Sequence, residues 1–248
     1  MIWMIGGTIN ATEICHSLVS AGWPILVSVT TGYGRHLSEQ SGAEVLQGML
    51  TMEDMTDLVA SKGIKLILDT SHPFATEVSL NAMYVAKQAG VPYLRFERQN
   101  PKFERATYVA DYPEAIAILG MTEGNILLTT GSKNIGQFTS LDVERLYARV
   151  LTSSDSVALC KKAGLKPTHI IGISGVCSVA LNLALLREFN IKYLVTKESG
   201  TEGGLHEKME AAQKAGVEVI IIKRPAIEYP EVYSDYNNLI KRIEEIYR

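Results

Sequence analysis

Small hydrogen-bond donors, glycines and cations recur together at the ends of apolar runs, a pattern that suits phosphate and carboxylate chemistry. Gly6-Gly7-Thr8 follows the apolar run 2–5. Paired glycines let a backbone approach a phosphate, and the first amides of a following helix present donors to it. The full G-x-G-x-x-G is absent, so a tight strand-to-helix turn is an equal reading. Thr30-Thr31-Gly32-Tyr33-Gly34-Arg35 falls where an NAD-specific fold usually places an acidic residue. Hydroxyls and the guanidinium of Arg35 suit a 2′-phosphate instead, which favours NADPH and leaves NADH as the alternative. A solvated glycine-rich loop is the plain reading of the same residues.

Further along, Asp69-Thr70-Ser71-His72-Pro73 closes another apolar run. His72 there can bond a cofactor phosphate or amide, relay a proton, or satisfy a local backbone group, and Pro73 suits the first turn of the next helix. Arg95, Glu97 and Arg98 follow a fifth run, Thr129-Thr130-Gly131-Ser132-Lys133 a later one, and Thr196-Lys197-Glu198-Ser199-Gly200 another. Two segments that each combine Thr, Ser, Gly and Lys suit a ligand bearing several carboxylates or phosphates; for either segment alone, a solvated strand-end lysine is the plain alternative.

The elements that must position these residues are legible in outline. Ile, Val and Leu runs predict strands near 2–5, 25–29, 43–47, 65–69 and 92–97, and again near 126–130, 146–151, 169–173, 193–196 and 217–223. Stretches of helical spacing lie between them, as in strand–helix units with parallel sheets, where ligands bind outside the carboxyl ends of the strands. Thr51 with Asp54 predicts a capped helix over 52–62, ended by Gly63. The polar stretch 98–105 divides the strand signals five and five. The expectation is α/β: two Rossmann-like domains with mainly parallel sheets and a ligand crevice between them. Residues 1–100 are read as the dinucleotide-binding domain, 101–230 as the substrate-binding domain, and 231–248 as a C-terminal helix whose attachment is open, with Leu239, Ile240 and Ile243 on its apolar face.

With 24 Lys+Arg against 27 Asp+Glu, the chain has no bulk positive field for nucleic acid or an anionic membrane, so acidic ligands need local charges. Cys15, Cys160 and Cys177 are odd in number and far apart, which predicts buried thiols in a cytoplasmic protein rather than disulfides. The N-terminus lacks the basic and long apolar regions of a signal peptide or anchor. No metal-ligand spacing appears among the histidines and cysteines, and Gly172-Ile173-Ser174-Gly175 lacks the nucleophile-elbow spacing, so no protein-bound metal and no serine nucleophile are expected. Redox chemistry on a bound dinucleotide is the simplest reading. A two-domain nucleotide-sugar transferase and a non-catalytic dinucleotide sensor are the alternatives.

Gly6-Gly7-Thr8, Ser28 to Gly34, Asp69-Thr70, His72-Pro73-Phe74-Ala75, Ser79 with Asn81, Tyr93-Leu94-Arg95, Leu128 to Lys133, Ala148 to Leu151 and Val195 to Gly200 together resemble the precorrin-6A reductase family of corrin-ring biosynthesis. The resemblance runs from residue 2 to about 225 and rests on the order and spacing of these segments. It implies a reductase that adds hydride from a nicotinamide to one double bond of a ring-contracted, anionic tetrapyrrole. On this reading Gly6, Gly7, Thr8, Thr30, Thr31, Gly32, Tyr33, Arg35, Ser71, His72 and Pro73 bind the cofactor. Arg95, Arg98, Thr130, Gly131, Ser132, Lys133, Lys197, Glu198, Ser199 and Gly200 bind the substrate, with Lys197 and Ser199 nearest the chemistry. Whether the substrate carries cobalt and whether the protein oligomerises stay open. The family tends to show Pro-Phe-Ser where this chain has Val176-Cys177-Ser178, so only Ser178 and Asn182 carry over in that loop.

Overall fold

The structure, a computed structural model, describes residues 1–98, 102–199 and 203–247, with the side chains of Ile9, Asn10 and Tyr33 left aside. The chain divides into two units: Met1–Gln99 with Pro225–Arg248, and Asn100–Arg224. The return to the first unit thus falls at 224/225, where the sequence reading carried the second unit on to 230.

In the first unit, strands β1 (Ile2–Ile5), β2 (Ile25–Val29), β3 (Glu44–Gln47), β4 (Leu66–Asp69) and β5 (Tyr93–Phe96) alternate with helices α1 (Ile9–Ser20), α2 (Gly32–Glu39), α3 (Met52–Ser61) and α4 (Thr76–Ala89). All four residues of β1, β4 and β5 are buried, as expected for strands covered on both faces. Trp3, Met55, Ile67 and Val85 fill one layer; Met4, Leu18, Val27 and Leu68 fill the other. Thr51 and Asp54 form the reciprocal cap at the start of α3.

The second unit repeats the plan with β6 (Thr107–Val109), α5 (Tyr112–Gly120), β7 (Asn125–Leu128), β8 (Leu146–Val150), α6 (Ser154–Lys162), β9 (Ile170–Gly172), α7 (Val179–Glu188), β10 (Ile191–Lys197), α8 (Leu205–Ala215) and β11 (Glu218–Ile222). Segment 132–140 after β7 is 3-10 helix. The chain then re-enters the first unit through β12 (Val232–Tyr233) and α9 (Tyr236–Tyr247), whose Leu239 and Ile243 pack against Ile2, Met4 and Leu94.

Every strand pairing is parallel, in the orders β3-β2-β1-β4-β5-β12 and β9-β8-β7-β10-β11-β6. Both orders reverse direction at one point, between β1 and β4 and between β7 and β10, which is where doubly wound sheets open a ligand crevice. The sixth strand of each sheet comes from the chain flanking the other strands of that unit: β6 precedes β7, and β12 follows the whole second unit. These two edge strands, three and two residues long, carry no apolar run and were not expected from the sequence. Among the described residues, no helix is long and apolar enough to cross a membrane.

Candidate functional site

At the β1/β4 reversal, Gly6 donates its amide to the Ser28 carbonyl at 2.9 Å, and a Cβ on Gly6 would stand 2.8 Å from Val27 Cγ1, so this glycine serves close packing of the turn on β2. Gly7 differs. Its φ of +112° disfavours any L side chain, and nothing of the protein lies within 4 Å of where a Cβ would be. Thr8 caps α1: its hydroxyl accepts from Ala11 N at 3.1 Å and donates to the Thr70 carbonyl at 3.1 Å, tying the two crevice-forming turns together. A recess of about 160 Å³ lies here, lined by Gly6, Gly7, Thr30, Ser71 and His72 among others, with no carboxylate in its wall. Its size suits a phosphate group rather than a whole dinucleotide. Ile5, Val29, Leu50, Ala75 and Val78 supply the apolar part of its wall, so the hydroxyls, the imidazole and the glycine backbone are the polar groups it offers to an anionic group.

Thr31 caps α2, accepting from Gly34 N at 3.0 Å. Gly32 and Tyr33 open that helix, and Arg35 lies one turn in, half exposed and paired with Glu39 at 2.6 Å. Pro73 is not in the first turn of a helix: α4 begins at Thr76, and 72–75 forms a turn closed by Ala75 N to the His72 carbonyl at 2.8 Å. Within this turn His72 Nδ1 also accepts from Phe74 N at 3.2 Å, a local side-chain bond that competes with helix.

Arg95 requires a correction. It is 0% exposed, and its guanidinium donates to Asp69 Oδ1 (2.9 Å), Ser71 Oγ (3.2 Å) and Glu97 Oε2 (2.9 and 3.1 Å). A side chain committed to three partners inside the first unit does not meet a substrate. Burial works against its charge, but Asp69, Tyr229 and Glu97 outweigh that and hold the guanidinium above its ordinary pKa. Arg98 lies at the surface, 3.2 Å from Glu13.

At the β7/β10 reversal, Thr130 is 1% exposed and its hydroxyl has no hydrogen-bond partner among the described residues. Gly131 takes φ +89°, Ser132 Oγ donates to Ser156 at 3.2 Å, and Lys133 is exposed. Lys197 ends β10; burial, then repulsion from Lys133, lowers its pKa to about 8. Ser199 donates its amide to the Lys197 carbonyl at 2.7 Å. Glu198 is drawn into the fold, its carboxylate accepting from Arg224 N at 3.1 Å. Gly200 lies outside the described residues.

Two further cations stand in this cluster without having been singled out in the sequence. Lys208 is 4% exposed and donates to Thr196 Oγ1 at 3.1 Å; burial, Arg149 and Lys197 push its pKa down to about 7, against Cys177 and Glu207. Arg149, lowered by burial, donates to Asn182 Oδ1 at 2.6 Å, and Asn182 in turn holds the Cys177 and Ser178 carbonyls. A signal for both exists in the sequence. Arg149 interrupts an otherwise apolar strand, and Lys208 falls on the core stripe of α8 with Leu205, Met209 and Ala212. Lys133 acts on Lys197, and Arg149 and Lys197 act on Lys208, so cations accumulate near the carboxyl edge of this sheet, an arrangement suited chemically to an anionic group.

The sheet orders and these two turn clusters define a pair of Rossmann-like, doubly wound α/β units. The family model described as precorrin-6x reductase CbiJ/CobK matches residues 1–244, and the chain belongs to that family. The cobalt-precorrin-6A reductase of Priestia megaterium is 37% identical over 97% of this chain and 96% of its own length. That of Methanocaldococcus jannaschii is 34% identical over 98% of each, while the precorrin-6A reductase of Rhodobacter capsulatus is 25% identical over 90% of this chain and 88% of its own. A solved structure titled CobK precorrin-6A reductase superposes with a TM-score of 0.82 at 22% identity, covering 99% of this chain and 96% of the other, which gives the same fold.

Proposed function

We propose that this chain reduces cobalt-precorrin-6A, transferring hydride from NADPH to one double bond of the ring-contracted tetrapyrrole. The reading is carried by the family match over residues 1–244. The cobalt-bearing substrate is favoured over the metal-free one because the relatives named for it run from 30 to 37% identity, against 25 and 29% in the Rhodobacter capsulatus and Rhodococcus erythropolis proteins named without cobalt.

The first unit is the cofactor side. Gly7 and Thr8 receive the pyrophosphate, with Ser71 and His72 across the same recess and Pro73 next to them, and Thr30, Thr31, Gly32, Tyr33 and Arg35 lead from it to the 2′-phosphate. NADPH, when bound, supplies the hydride. The second unit is the substrate side. Lys133, Arg149 and Lys197 neutralise acetate and propionate arms, the buried Lys208 adds positive potential from beneath without touching them, and Thr130, Gly131, Ser132, Ser199 and Gly200 donate hydrogen bonds to them. Glu198 supports the segment from behind. Lys197 also stabilises negative charge that develops on the ring as hydride arrives, and the reduction consumes one proton. A lysine with a pKa of about 8 is still largely charged at neutral pH, which suits that electrostatic task.

The test is loss of reduced-nicotinamide absorbance with cobalt-precorrin-6A, metal-free precorrin-6A, or neither present, using NADPH and NADH in parallel. Oxidation dependent on the cobalt-bearing ring, with NADPH preferred, is the expected result. Binding of a nucleoside diphosphate sugar without nicotinamide oxidation would favour the transferase alternative.

A further inference from the structure

The Asp69–Arg95 pair occupies a place where ion pairs are costly. Both side chains are essentially inaccessible, at 0% and 1% exposure. Removing two charges from water seldom adds net stability, and apolar replacements of similar volume are often tolerated or better. A buried pair embedded in a dense hydrogen-bond network fixes geometry instead.

The network has three arms. Asp69 Oδ1 accepts from both Arg95 Nη1 and the Ser71 amide, each at 2.9 Å, and Arg95 Nη1 also donates to Ser71 Oγ at 3.2 Å. Ser71 is thereby held through its backbone and its side chain at once. Asp69 Oδ2 accepts from Ser79 Oγ at 2.6 Å and from the Tyr93 hydroxyl at 2.5 Å, which anchors the carboxylate to α4 and β5. From the C-terminal return, Tyr229 places its ring 5.2 Å from the Arg95 guanidinium and stacks on Tyr93 at 7°. The Glu231 carbonyl accepts from Arg95 N at 2.9 Å. All of these groups belong to the first unit. Ser71 is also a wall of the phosphate-sized recess, next to His72.

We infer that Arg95, clamped by Asp69 and Tyr229, is a positioning residue for the Ser71-His72 turn, so that cofactor binding depends on a side chain that touches no ligand and on a segment more than 150 residues away in sequence. This rests on the assignment of the recess to the cofactor. Arg95 and Tyr229 hold the turn in its binding shape, and their loss weakens NADPH binding without weakening tetrapyrrole binding.

The test compares Arg95→Met, Arg95→Lys and Tyr229→Leu with Leu94→Ala, a cavity variant in the same strand whose side chain packs in the opposite layer. The readouts are KM for each substrate, kcat, Kd for NADPH and Tm. Arg95→Met should raise the NADPH Kd about tenfold or more while the tetrapyrrole KM moves by less than about twofold, with Arg95→Lys in between. Leu94→Ala should lower Tm with NADPH Kd unchanged. If Arg95→Met is no worse for NADPH than Leu94→Ala, or raises both KM values alike, the inference is overturned. Should Arg95→Met not fold, Tyr229→Leu, which removes the ring that Tyr229→Phe would keep, decides: a rise of about threefold in NADPH Kd supports the inference, and an unchanged value overturns it. Wild-type protein that binds neither NADPH nor NADH refutes the recess assignment itself, a different failure from a variant equal to wild type.

Discussion

Lys208 Nζ donates to Thr196 Oγ1 at 3.1 Å with both residues buried, one on α8 and the other inside β10, so the second unit keeps an ammonium group beneath its own sheet edge. Burial and neighbouring cations lower its pKa from 10.5 to about 7. The unfolded chain therefore binds more protons than the folded one between those values, and this group makes stability rise with pH across that window and fall as pH drops toward 7. Lys208→Met should remove that slope and leave Tm at neutral pH unchanged or higher, while raising the tetrapyrrole KM. Thermal melts of both proteins at about pH 7 and pH 9 check this; equal slopes count against it.

Substrate affinity should run the other way. Lys208 and Lys197, with pKa values of about 7 and about 8, lose charge as pH rises through that range, so the tetrapyrrole KM should climb above neutrality while the NADPH KM stays flat. Lys197→Ala should slow hydride transfer by about tenfold or more at saturating tetrapyrrole, with little change in NADPH affinity. Stopped-flow oxidation at wild-type rates in that variant would make Lys197 a bystander.

Gly7→Val places a β-branched side chain at φ +112°, in space the protein itself leaves open. The strain costs roughly 1–2 kcal/mol, which a domain of this size survives. NADPH binding should be lost in a protein that still melts cooperatively, as measured by calorimetric titration beside a melt. Retained NADPH affinity moves the pyrophosphate away from this turn.

Arg35 is half exposed and paired with Glu39, a surface pair worth at most about 1 kcal/mol to stability. Its contact with a 2′-phosphate is worth about 1.5–3 kcal/mol, so Arg35→Ala should weaken NADPH by about ten- to hundredfold and leave NADH unaffected. Equal Kd values for the two cofactors in both proteins would refute the 2′-phosphate assignment.

Much of the architecture is written locally. Ile2-Trp3-Met4-Ile5 and Leu66-Ile67-Leu68 read as buried parallel strands because strands covered on both faces are continuously apolar, and Thr51 with Asp54 reads as a cap because both partners lie within four residues. The turns at both sheet reversals, Gly6-Gly7-Thr8 with Ser71-His72 and Thr130-Gly131 with Lys197-Ser199, follow from the same rhythm. Tertiary structure decided the rest. Val232-Tyr233 is a strand only because β5 offers it an edge, and 225–248 joins the first unit because Leu239 and Ile243 find their core there. Arg95 changed meaning in the same way: a cation after a strand reads as a ligand contact until Asp69, Ser71, Glu97 and Tyr229 converge on it. Lys208 drew no reading from the sequence, and only the fold sets it against Thr196 in the interior. Periodicity and capping act over a few residues and leave their mark in the chain. The fate of a charge depends on which groups the fold brings within a few ångströms from distant parts of it.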